Sequence, residues 1–158
     1  MIEEYFNTFI NSLESFRLTG GSNTEFDEDV IKNIDKMTPL RDDFVDLTKI
    51  VFSYSASADL DLDGFKNFFE KLVPFLFKPA NVNTSTNIDF DNYKFFAYEL
   101  MLYFITILLK YRKYNEAAYF INSQYFFKDQ NNNLTHCNID IFNSHITSLT
   151  EIRNRRLQ

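Results

Sequence analysis

Residues 95–109, Phe95-Phe96-Ala97-Tyr98-Glu99-Leu100-Met101-Leu102-Tyr103-Phe104-Ile105-Thr106-Ile107-Leu108-Leu109, carry one charge and no Gly or Pro. An apolar run of this length is too long for a buried strand and fits a helix. Its apolar residues fall nearly all round a helical wheel, and a helix without a polar face is enclosed by other elements. The stretch therefore predicts a central helix over about 92–112, with Asp89 or Asp91 as its N-cap. The uncharged core of the run, Leu100 to Leu109, is about half of the ~20 residues a bilayer span needs.

Working outward, other segments show one apolar face each. Ile2, Tyr5, Phe6, Phe9, Ile10, Leu13 and Phe16 recur at helical spacing, and Gly20-Gly21-Ser22-Asn23 ends that pattern. Phe26, Val30, Ile31, Ile34 and Met37 predict a second helix, opened by Thr24 and Asp27. Thr38-Pro39 reads as a boundary, because Pro suits the first turn of a helix, where its missing N–H costs nothing. Leu40, Phe44, Leu47, Val51 and Tyr54 then give a third helix, and Phe65, Phe68, Phe69, Leu72, Val73 and Leu76 a fourth. A sixth is expected from Asn115 to about Phe126. A seventh runs from Asn138 or Asp140 with Phe142, Ile146, Leu149 and Ile152 inward. It meets no stop signal before Gln158, so the chain is expected to be part of a longer protein.

The expected fold is all-α: about seven helices in one bundle around the central helix, with 1–158 as a single domain. The polar 79–90 loop is where any break between sub-bundles would fall. Composition agrees. The chain has 158 residues but only 3 Gly and 3 Pro, too few turn residues for many short strands. Nineteen Phe and nine Tyr supply a large core. One Cys excludes a disulfide framework and a multi-cysteine zinc site. The net charge of −6 opposes nucleic-acid binding, which needs a basic face. The acidic start Met1-Ile2-Glu3-Glu4 lacks the basic region of a signal peptide, so a cytoplasmic location without membrane attachment is expected.

Three stretches resemble known families. Asp59, Asp61, Asp63, Gly64 and Glu70 match the D-x-D-x-D-G-x5-E pattern of the EF-hand calcium loop. The resemblance implies calcium held by Asp59, Asp61, Asp63, the Phe65 carbonyl and a bidentate Glu70. Lys66 and Leu62 depart from the family pattern. The same residues also read as a capped helix start, with Asp61 or Asp63 as the cap. Arg153-Asn154-Arg155-Arg156-Leu157-Gln158 resembles the Arg-Asn-x-x-x-His element of HEPN ribonucleases, all-α proteins of bacterial defence that cut RNA. Gln158 stands where that family has His, and Gln is no acid or base. Leu108 to Ala118 resembles the turn of a tetratricopeptide-type helical pair, but without the family's small residue before the turn Tyr and without a second copy it reads first as an ordinary antiparallel pair of helices.

His136, Cys137 and His145 are the remaining reactive side chains. Adjacent residues rarely face one another, and His145 lies near an apolar face. No phosphate loop, nucleophile elbow or H-E-x-x-H motif is present. The leading expectation is a non-enzymatic interaction or regulatory domain that needs no cofactor. Its candidate partner surface is Tyr111, Tyr114, Tyr119 and Tyr125, beside Lys110, Arg112 and Lys113, since Tyr combines apolar area with a polar tip. A calcium-binding domain and a HEPN-like domain with a degenerate site are the alternatives.

Overall fold

The computed structural model describes residues 2–18, 25–54, 60–79, 86–129 and 131–157. Among these, six α-helices and one small hairpin make an all-α fold of the expected class. Helix α1 (Ile2–Leu13) buries Phe6, Phe9 and Leu13, the face its spacing predicts. Helix α2 (Phe26–Tyr54) and helix α4 (Asp91–Lys110) form the main packed pair. Helix α3 (Leu62–Leu72) lies against α1 and tightens into a 3-10 turn at Val73–Leu76, where Pro74 has no N–H to donate.

Rings fill the space between these helices. Phe104 of α4 meets Phe65 and Phe69 of α3 at 5.1 and 5.2 Å between centroids, and Phe120 of helix α5 (Tyr114–Asn122) edge-on at 4.6 Å. Phe68 stacks on Phe6 of α1 and on Phe44 of α2. All of these rings belong to one buried cluster. Edge and offset contacts of this kind add about 0.5–1.5 kcal/mol per pair beyond area burial.

The boundary expected at Thr38-Pro39 is not there, because α2 runs through Pro39 without a break. Pro39 and Asp35 both lie on the exposed side of α2. The Asp35 carbonyl that loses its partner therefore faces water, which offsets part of the cost of an internal proline. Met37 and Phe44, one on either side, are fully buried and hold the helix to the core. Helices two and three of the sequence reading are thus one.

The sixth helix, expected to run to about Phe126, also needs correction. Helix α5 ends at Asn122, and Tyr125–Lys128 (β1) pairs antiparallel with Leu134–Cys137 (β2). Alternation decides it: Tyr125 is buried and Phe127 half-buried, while Phe126 and Lys128 are exposed. Asp129 and Asn131–Asn133 close the hairpin. The Asp129 carboxylate accepts from the Asn131 and Asn133 amides at 2.8 Å, and Asn132 takes a positive φ of 63°, a conformation Asn tolerates.

The expected last helix is broken into pieces. Asn138 caps a 3-10 turn at Ile139–Asn143, and Ser144 is extended. A wide π turn at Ser148–Ile152 then leads into helix α6 (Arg153–Leu157). The Asp91 carboxylate captures the Ser148 amide at 2.7 Å and holds this segment against the start of α4.

That start is a polar hub. Thr86 and Asp89 form a capping box ahead of it. Asp91 also binds Lys94 at 2.7 Å. The Asn92 amide donates to the Phe16 carbonyl and to Asn33 Oδ1. The buried Tyr93 hydroxyl donates to the Leu13 carbonyl at 2.7 Å, satisfying one of the open acceptors at the end of α1. Residues 80–85, the middle of the 79–90 loop, lie outside the described residues.

Candidate functional site

Helix α4 is not enclosed on every side. Its inward residues Phe96, Leu100, Phe104 and Leu108 are buried, but Tyr98, Leu102 and Leu109 are 39%, 51% and 47% exposed. With half-buried Phe95 and Ile105 they form a second apolar stripe at alternating spacings of three and four. Ile121 of α5 extends this stripe sideways at 44% exposure. A shallow groove of about 250 Å3 lies beside the stripe, with Met101, Ile139, Asp140 and Phe142 among its lining residues. On the opposite flank Arg41 lies over the Tyr103 ring at 5.8 Å and reaches Glu99 at 3.5 Å.

This stripe escaped the sequence reading. All-round apolarity predicts an enclosed helix, yet the excess over one inward face is the signal: two stripes at helical spacing need two partners. A larger cleft of about 600 Å3 lies between the end of α1, Pro74–Pro79 and the hairpin, with Phe77 stacked on Phe127 at 5.9 Å.

Of the expected tyrosine surface, Tyr114 and Tyr119 are exposed and Tyr111 is half-buried against the core. Tyr125 is not a surface residue. It is fully buried at the start of β1, edge-on to Phe142 at 5.2 Å, and its hydroxyl donates to the Phe120 carbonyl. Burial pushes its phenol well above the usual range. Tyr119 is raised more mildly, by burial first, and donates to Asp63 at 3.3 Å.

The calcium pattern unfolds into separate duties. Asp59 lies outside the described residues. Asp61 is the N-cap of α3, its carboxylate accepting from the Gly64 amide at 2.8 Å. Asp63 accepts from Tyr119, and Phe65 is a fully buried core ring. Glu70 pairs with Lys66 at 3.3 Å and accepts from the Phe126 amide at 3.0 Å. Because Leu62–Leu72 is helix, Asp61 and Glu70 are separated by about 13 Å of helical rise, so they cannot share one ion in this conformation. Among the described residues no three His, Cys, Asp or Glu side chains converge as metal ligands.

At the other end, Arg153 and Arg156 close on the N-terminus of α2. Arg156 Nη2 stands 2.8 Å from Asp27 Oδ2, Arg153 Nη1 stands 2.9 Å from Glu28 Oε1, and Arg156 also contacts Glu28. The Arg156 hydrogen bond is the main cause holding both carboxyl groups below their usual range. Gln158 lies outside the described residues. Cys137 and His136 are neighbours on β2, facing opposite sides of the hairpin, and burial raises the Cys137 thiol. His145 is exposed, not packed, and lies 3.0 Å from Glu151.

No protein-family model, no curated protein and no solved structure matches the chain. No helix among the described residues is long and apolar enough to cross a membrane.

Proposed function

We propose that this chain is a non-enzymatic docking module that receives an amphipathic helix of a protein partner on the outer stripe of α4. One observation supports the reading above all: a helix otherwise devoted to the core keeps Tyr98, Leu102 and Leu109 open to water, with Ile121 beside them. Exposed single apolar residues are ordinary, but a contiguous line of them on one rigid helix marks an interaction site. Residues spaced i, i+4, i+7 and i+11 are the anchors a helix-in-groove contact uses. The alternatives have less support, since Asp61 and Glu70 serve α3 and the hairpin, and Arg153 is committed to Asp27 and Glu28.

A photo-crosslinking amino acid placed at Leu102 in the expressing cell tests this reading. A discrete protein adduct is expected from Leu102 and none from the same group at exposed Glu3 on α1. Adducts from neither position, or equally from both, would remove the stripe as a docking site.

A further inference from the structure

Resting on that reading, we infer that the helix received is α4 of a second copy of this chain, packed antiparallel across a two-fold axis near Leu102 and Ile105. Phe95, Tyr98, Leu102, Ile105 and Leu109 follow the alternating three-four spacing of a coiled-coil seam, and α4 is an unbroken helix of 20 residues that can present it. Antiparallel pairing sets Leu102 of one copy against Ile105 of the other, and Tyr98 against Leu109. The same centre satisfies both pairs, so the stripe is self-complementary, as a two-fold interface requires.

The charges beside the stripe choose the direction. Glu99 flanks its first half, and exposed Lys110 flanks its last turn on the same side of the helix. Residues on one flank meet the same flank of the partner in an antiparallel pair, so Lys110 of one copy comes beside Glu99 of the other. Glu99 has room for a second cation, because its contact with Arg41 is long at 3.5 Å, while Arg41 bonds Asp42 at 2.8 Å. A parallel two-fold pair would set each flank against the opposite flank of the partner, so Glu99 and Lys110 would lie on different sides of the seam and could not pair. Opposed helix dipoles also favour the antiparallel order.

Sedimentation of the full chain, with cysteine crosslinking in a Cys137→Ser background, tests the inference. A dimer is expected at micromolar concentration. Leu102→Asp should weaken it by about tenfold or more, since symmetry counts each lost contact twice. Its circular dichroism should stay that of the parent, and its melting temperature should match the parent's at dilutions where the parent is monomeric, because Leu102 is not a core residue. The double variant Tyr98→Cys, Leu109→Cys should form a covalent dimer on mild oxidation, and neither single variant should. A dimer indifferent to Leu102→Asp, or crosslinking of the single variants alone, would overturn the inference. A monomer at all concentrations would overturn it too. In that case a Leu102 photo-adduct to a different protein would keep the docking reading, and no adduct would remove both.

Discussion

Arg156 reaches from the last helix to the buried carboxylate of Asp27 at the start of α2, with its Nη2 2.8 Å from Oδ2. Arg153 supports the same carboxylate from 3.4 Å. The contact ties the last helix to the start of α2 across 129 positions of sequence. A buried carboxylate that loses its partner is costly, and Arg153 remains as partial compensation. Arg156→Ala is therefore expected to lower the midpoint of urea unfolding. Adding Arg153→Ala should cost more than the sum of the two single changes, because only the pair of changes strands Asp27 completely.

The same contact sets a pH dependence. The folded state holds the Asp27 carboxyl below its usual value, chiefly through the Arg156 hydrogen bond. Its contribution is then complete above the ordinary carboxylate range near pH 4 and is lost as the pH falls through the lower folded value. Acid unfolding of the parent should lie at higher pH than that of Asp27→Asn once their neutral-pH stabilities are matched with urea, because only the parent has this contribution to lose. Coincident acid transitions would show that Asp27 is not a major contributor.

Asp61→Ala should cost about 1 kcal/mol, the worth of an N-cap. Gly64→Ala should destabilise despite the better helix propensity of Ala, since a methyl there runs into the Asp61 carboxylate. Millimolar calcium should leave the melting temperature of the parent unchanged. A rise that disappears in Glu70→Gln would instead show that α3 unwinds to form a calcium loop.

Tyr93→Phe removes only the hydroxyl that caps the Leu13 carbonyl. A loss of about 1 kcal/mol is expected, as for one buried hydrogen bond. Exchange of the α4 amides should stay slow, while the α1 amides should exchange faster.

The Cys137 thiol is raised by burial and then by Glu70, and its Sγ lies 3.7 Å from the Tyr125 carbonyl. Alkylation by iodoacetamide at pH 7 should be slower in the folded chain than in urea, where the thiolate fraction and access are both larger. Equal rates would mean that the hairpin opens freely.

The helical class was legible because α1, α3 and α4 each carry a continuous pattern of the right period. Three features were not. Pro39 is a local stop signal overruled by Met37 and Phe44, whose burial is a tertiary fact. Tyr125–Lys128 is only four residues long, and so short an apolar run fits the end of a helix as well as a strand. The Asp27–Arg156 pair joins residues too far apart in sequence for any spacing rule to relate them. The outer stripe of α4 was present in the sequence but masked by the inward one, since periodicity alone does not say which of two apolar faces is covered.

Asp91, Asn92 and Tyr93 have a consequence for the rest of α4. A helix apolar on nearly every side has little hydrophobic reason to prefer one rotation about its axis, and competing rotations would lie close in energy. The three polar side chains remove that degeneracy, because each finds its acceptor or donor in only one rotational phase. They act as an index mark on a dial: they decide that Leu100 and Phe104 turn inward while Leu102 and Leu109 turn outward. Replacing all three with apolar residues of similar size should leave a helical, compact chain whose α4 rolls among several settings, with broadened aromatic resonances and no fixed outer face.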